Sequence, residues 1–168
     1  MTNNDVFRRL RYAIDLSNKA LIEIFRLSGQ ELTQSDLIAL LKKEDEEGYQ
    51  ECGDLVLEAF LDGLIAYKRG ARQEEAGCSK KKPTPLTNNE ILKKIRIALE
   101  LKEDEMLAVF KLARFPTSKS ELSALFRAKG HENYKECGDQ LLRNFLKGLT
   151  IRNRDDIAEE KAPATKGS

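Results

Sequence analysis

The sequence predicts an all-α fold: two homologous four-helix repeats with helix-turn-helix-like hairpins, packed as a pseudo-symmetric pair. Three observations carry that expectation. The chain aligns with itself at a constant offset of 85 residues, from Thr2 on Thr87 to Arg69 on Arg154, without a gap. About a third of the paired positions are identical, which marks a duplication whose copies share one fold. Apolar residues recur at three- and four-residue spacing, and no strand-like alternation interrupts them. A unit of roughly 70 residues is also marginal alone, so the copies are expected to share an interface.

Each repeat reads as four helices. Helix 1 is expected to follow an Asn cap, Asn3 or Asn88. Its apolar positions are Val6, Leu10, Ala13 and Ile14, matched by Ile91, Ile95, Ala98 and Leu99. Helix 2 runs from about Asn18 to Ser28 with Leu21, Ile24 and Phe25 inward; its twin uses Met106, Val109 and Phe110. Helix 3 opens at Thr33 or Ser118, where Asp36 and Glu121 complete capping boxes. Its core stripe is Leu37, Leu40 and Leu41, matched by Leu122, Leu125 and Phe126.

Helix 4 follows the duplicated Glu-Cys-Gly-Asp block. Asp54 and Asp139 place a carboxylate in its first turn, where the helix dipole favours negative charge. Phe60, Leu61 and Leu64, with twins Phe145, Leu146 and Leu149, form its buried face. Gly63 and Gly148 sit inside it at a cost of about 1 kcal/mol each relative to Ala, so another helix is expected to approach closely there. Leu55, Ala59 and Ile65 become Gln140, Asn144 and Thr150 in the second copy. The more apolar helix 4 of repeat 1 is therefore expected to cover the other repeat or a second chain, as in a homo-oligomer.

The domain plan is repeat 1 over 1–69, a flexible linker over 70–86, repeat 2 over 87–154 and a disordered tail over 155–168. The linker holds Gly70, Gly77, Lys80, Lys81, Lys82, Pro83 and Pro85. The chain of 168 residues is 40% hydrophobic and 34% charged, enough for a core beneath a highly charged surface. Its net charge of +1 conceals an asymmetry. Residues 2–69 carry 9 basic against 13 acidic residues, net −4, and residues 87–154 carry 14 against 9, net +5. The acidic and basic halves are expected to attract each other, or only one meets an anionic partner. No apolar run approaches a membrane span, and the first residues lack the pattern of a secretory signal. A soluble, cytoplasmic protein without membrane association is the expectation.

Cys52 and Cys137 are twins and Cys78 lies in the linker, which is neither a disulfide framework nor a zinc motif. The twin cysteines sit at expected helix starts, where a thiolate can be stabilised. The lone His131 precedes Cys137, so a Cys/His pair is conceivable in repeat 2 alone, but small buried cysteines fit better. Glu44, Asp45, Glu46 and Glu47 lack the spacing of a calcium loop and read as a solvated run. There is no phosphate-binding glycine loop, nucleophile elbow or metalloprotease helix. No cofactor, metal or catalytic residue is expected.

The segment from helix 2 to helix 3 has a helix-turn-helix look. In repeat 2 the outward stripe of the second helix is Lys119, Ser123 and Arg127; its twin is Gln34, Ile38 and Lys42. Helix 1 is basic in both copies, with Arg8, Arg9 and Arg11, then Lys93, Lys94 and Arg96. Lys93, Lys94, Arg96, Lys119, Ser123 and Arg127 are therefore the candidate contacts to nucleic acid or another anion. The alternative is an ordinary hairpin with a solvated face. Arg11 and Arg96 are identical in the copies, and each is expected to pair with the aspartate of its own repeat, Asp54 or Asp139.

The Thr-Asn-Asn starts, the Ser118-Lys119-Ser120-Glu121-Leu122 helix start, and the block from Glu136-Cys137-Gly138-Asp139 to Phe145-Leu146-Lys147-Gly148-Leu149 resemble the YehS-like family. These are small bacterial proteins grouped under a domain-of-unknown-function label. The resemblance covers about residues 1–154. It implies a cytoplasmic bacterial protein with a tandem helical domain and supplies no catalytic residues. The expected function is that of a non-catalytic interaction or regulatory protein. The alternative is nucleic-acid binding through the basic face of repeat 2, and an enzyme is the more remote option.

Overall fold

The computed structural model describes residues 1–70 and 86–161, with side chains through Arg154. Repeat 1 forms α1 (Asn3–Ala13), α2 (Asn18–Leu27), α3 (Gln34–Leu41) and α4 (Asp54–Arg69). Repeat 2 forms α5 (Asn88–Leu99), α6 (Glu103–Leu112), α7 (Lys119–Leu125) and α8 (Asp139–Lys161). The described residues contain no strand, as the helical spacing requires. No helix among them is long and apolar enough to cross a membrane. Of the linker expected over 70–86, residues 71–85 lie outside the described residues.

The helix starts follow capping chemistry, with one shift from expectation. The cap of α1 is Thr2, whose hydroxyl accepts from the Asp5 amide at 3.1 Å while Asp5 accepts from the Thr2 amide at 3.3 Å. Asn3 and Asn88 are instead the first helical residues, and their side chains reach Asp54 at 2.7 Å and Asp139 at 2.8 Å. Thr33 and Ser118 cap α3 and α7 as expected. Helix α8 continues to Lys161, where a tail from residue 155 was expected to be disordered. The Ala, Glu and Lys of that stretch are strong helix formers that prolong an established helix. Residues 162–168 lie outside the described residues.

The core is one contiguous cluster drawn from both repeats. In repeat 1 it centres on Phe7, Phe25 and Phe60, with Phe7 edge-on to Phe60 at a centroid separation of 4.8 Å. Phe7 is wholly buried although the expected stripe of helix 1 omitted it. Its twin is Leu92, and repeat 2 packs Phe115 against Phe110 instead, at 6.3 Å.

The repeats interlock. Helix α2 packs on α4 and α6 on α8 within each repeat, while α1 lies along α8 and α5 along α4 between repeats. Both inter-repeat seams run parallel in the same register. The Leu86 amide donates to Asp54 at 3.2 Å, Lys94 pairs with Asp62 at 2.5 Å, and Arg69 pairs with Glu100 at 3.4 Å. On the other seam the Met1 amine pairs with Asp139 at 2.9 Å and Arg154 with Asp15 at 3.6 Å. Ala59 and Ile65 are half-buried on the core, but Leu55 is 69% exposed, so that part of the apolar face does not cover the other repeat.

Gly63 and Gly148 are the notches that permit the close approach of α2 and α6. A Cβ at Gly63 would lie 2.8 Å from the carbonyl carbon of Ile24, and one at Gly148 2.8 Å from that of Val109. Only a residue without a side chain lets these backbones touch.

Candidate functional site

The duplicated Glu-Cys-Gly-Asp block is the first place to look for chemistry, and its geometry is architectural. Cys52 and Cys137 are buried, and each donates weakly to the following glycine carbonyl, at 3.8 and 3.7 Å. Burial, reinforced by the following aspartate, pushes both thiols up to about 12. They are therefore neutral thiols at physiological pH, not nucleophiles. His131 is exposed and its Nδ1 accepts from the Asn133 amide at 3.0 Å, turned to its own loop rather than to Cys137. Among the described residues no group of His, Cys, Asp and Glu is arranged to hold a metal.

The block is held by a buried asparagine that the sequence reading did not single out. Asn4 donates to the carbonyls of Leu40 at 3.0 Å and Gln50 at 2.9 Å. Its oxygen accepts from the Cys52 amide at 2.9 Å and the Tyr49 hydroxyl at 3.0 Å. Asn89 repeats the pattern with Leu125, Lys135 and the Cys137 amide. Each asparagine staples the start of helix 1 to the end of helix 3 and to the loop before helix 4. The available signal was the identical Thr-Asn-Asn triplet, whose second Asn falls on the buried side.

Asp54 and Asp139 join the repeats. Each takes the Asn of its own repeat on one oxygen and a backbone nitrogen from the other repeat on the second. The hydrogen bond from the N-terminal ammonium, then that from Asn88, holds the Asp139 carboxyl below its usual range. The expected pairing of Arg11 and Arg96 with these aspartates does not occur. Arg11 donates to the Asn18 side chain at 3.0 Å; Arg96 donates to the Leu101 carbonyl at 3.0 Å and lies over the Phe126 ring. The aspartates take nitrogen donors at the helix starts instead, while Arg11 bonds the first residue of α2 and Arg96 the loop that follows its own helix.

Of the candidate anion contacts, Lys94 and Arg96 are engaged within the fold. Lys93, Lys119, Ser123 and Arg127 are exposed. Lys94 is 19% exposed and neutralised by Asp62 across the seam, and Arg96 is used internally. Helix α7 ends at Leu125, so Arg127 lies past the helix, donating to the Asn133 carbonyl at 3.3 Å. The stripe of Lys119, Ser123 and Arg127 therefore holds for its first two members alone.

A different basic group emerges at the α1–α8 seam. Arg8, Arg9 and Tyr12 from α1 face Lys147 and Ile151 from α8 around an open cavity of about 360 Å³. Lys147 is the twin of Asp62, and Arg9 the twin of Lys94. One seam therefore carries an ion pair at the position where the other carries two cations. The signal in the sequence was the charge reversal from Asp62 to Lys147, one of two in helix 4 with Glu58 to Arg143.

The comparisons agree with this architecture. The family model described as a protein of unknown function, DUF1456, matches residues 3–70 and again 88–155, the two structural repeats. The uncharacterized protein YehS of Escherichia coli (strain K12) is 43% identical over 152 residues, which cover 90% of this chain and 96% of that protein. No solved structure gives a significant match. The chain belongs to the DUF1456 family, as a two-repeat member similar to YehS.

Proposed function

We propose that the protein is a non-catalytic binding module, an interaction or regulatory protein whose working surface lies where the twin repeats differ. The observation that carries this reading is the division of labour among residues. The shared Cys, Asn, Asp and Gly residues are consumed by folding, as their hydrogen bonds and burial describe. Several exposed positions change identity between copies, such as Leu55 to Gln140, Gln34 to Lys119 and Ile38 to Ser123. The test is complementation in cells lacking the protein. A Cys52→Ala/Cys137→Ala variant is expected to restore function, and charge reversal at Lys93, Lys119 and Arg127 to abolish it with the fold intact. Loss of function in the cysteine variant at normal protein levels would overturn the proposal.

A second reading, nucleic-acid binding through repeat 2, draws support from Lys119, exposed in the first turn of the second hairpin helix with Ser123 one turn on. A mobility shift with mixed DNA and RNA at low salt tests it. A shift that weakens with salt and disappears on neutralising Lys93, Lys119 and Arg127 supports this reading, and no shift at low salt ends it.

A further inference from the structure

We propose that the α1–α8 seam carries a binding site for a phosphate group, formed by Arg9 and Lys147. The inference goes beyond the binding-module reading and does not depend on it, since a small phosphorylated molecule would fill the site without any macromolecular partner.

The argument is a comparison of two seams within one molecule. They share a backbone register, fixed at one end by the nitrogens on Asp54 and Asp139 and at the other by Arg69–Glu100 and Arg154–Asp15. Midway along the α4–α5 seam, Lys94 meets Asp62 at 2.5 Å and the charges cancel. At the equivalent point of the α1–α8 seam stand Arg9 and Lys147, both exposed. Neither has a carboxylate partner among the described residues. Two cations held in that register repel, and an anion with oxygens to share between them removes the repulsion and supplies charge-assisted hydrogen bonds.

The surroundings suit that ligand. Arg8 also lines the cavity, its side chain fixed by Asp5 and by the Lys42 carbonyl at 2.9 Å. Tyr12, 56% exposed, also lines the cavity, with one ring face covered by Arg154 at 3.8 Å. A volume of about 360 Å³ accommodates a phosphate or pyrophosphate with its hydration. A guanidinium and an ammonium on facing helices recognise phosphate oxygens from either a small phosphate ester or a nucleic-acid backbone.

The test is an amide-resolved NMR titration of the full chain at low ionic strength with sodium pyrophosphate, and in parallel with a short DNA duplex. Pyrophosphate is expected to move the amides of Arg9, Tyr12, Lys147 and Ile151. Shifts at the same residues with the duplex alone would assign the phosphate to a nucleic-acid backbone; shifts with pyrophosphate alone would assign it to a small molecule. Lys147→Asp copies the residue of the twin seam and is expected to close an ion pair with Arg9. It should weaken binding by about tenfold or more without lowering the unfolding midpoint. Arg9→Gln gives the same loss through the other helix. Asp62→Lys is expected to create a second set of shifts around Lys94. The proposal is overturned if neither probe moves the seam amides, or if Lys147→Asp and Arg9→Gln bind as the native chain does.

Discussion

Replacing Gly63 by Ala separates two opposing effects. Helix propensity alone favours the substitution by about 1 kcal/mol, because Ala is the better helix former. Packing opposes it. The new Cβ would lie 2.8 Å from the Ile24 carbonyl carbon and 3.0 Å from Ile24 Cγ2, where ordinary contact begins at 3.4 Å. The carbonyl oxygen lies closer still. The obstacle is backbone, so no rotamer change relieves it, and α2 has to lift from α4 by more than half an ångström (~0.6 Å at the carbon alone). Overpacking of this kind costs about 1–3 kcal/mol, and an obstructing helix backbone places it at or beyond the upper end. The expected net loss is about 2 kcal/mol, or a fall of about 4–8 °C in Tm for a chain of this size. Gly148→Ala meets the Val109 backbone in the same way and should lose as much. The two notches share no contact partner, so the double variant should lose their sum within about 0.5 kcal/mol. Urea denaturation of the three variants measures this. A Gly63→Ala protein as stable as the native chain, or more so, would refute the close-approach argument and leave propensity as the whole effect.

Asn4→Ala should cost about 3 kcal/mol or more, since it strips partners from the Leu40 carbonyl and the buried Cys52 amide; a loss under about 1 kcal/mol by urea denaturation would dismiss its role as a staple. The folded protein should resist iodoacetamide at Cys52 and Cys137 at neutral pH and react at both once unfolded, read by mass spectrometry. Because burial holds these thiols at about 12, above the ordinary value near 8.5, the unfolded chain releases their protons first. Their contribution is therefore complete below about pH 8.5 and declines as pH rises toward 12, and Cys52→Ala/Cys137→Ala should flatten that decline in urea midpoints between pH 8 and pH 10.5. Arg114 occupies the left-handed region at φ 58, where its twin is Gly29 at φ 87, so Arg114→Gly should raise stability by about 1 kcal/mol; an unchanged or lower Tm would count against backbone strain there.

The repeat and its helices were legible because duplication and a helical period are both properties of the chain alone. Leu37, Leu40, Phe60 and Leu64 face inward as their spacing requires. The exchange of partners between repeats was not legible, because the apolar stripe of helix 1 says that it is buried and not by what. Asn4 was missed because a polar residue beside Thr2 and Asn3 reads as part of a cap, whereas its role depends on carbonyls 36 and 46 residues away. Arg11 and Arg96 misled for a related reason. Identity between twins was read as an identical ion pair, while Asp54 takes Asn3 and the Leu86 amide and Asp139 takes Asn88 and the Met1 ammonium. Arg127 was placed on a helix that stops two residues before it.

The interlocked seams explain why the informative residues are the ones that differ. If one repeat paired with a second copy of itself in this arrangement, its two seams would be the same surface met twice, as in any isologous contact. A residue at the position of Asp62 and Lys147 would then face helix 1 identically on both sides. An acid would neutralise both seams, and a base would leave both repulsive. Joining the repeats in one chain removes that constraint. Asp62 ties α4 to α5 through Lys94, and Arg69–Glu100 and Arg154–Asp15 close the far end of both seams. With those contacts made, Lys147 can face Arg9 without being needed for cohesion. A tandem chain can thus hold together on one seam while keeping the matching point of the other charged and open, which a symmetric pair of single repeats cannot do.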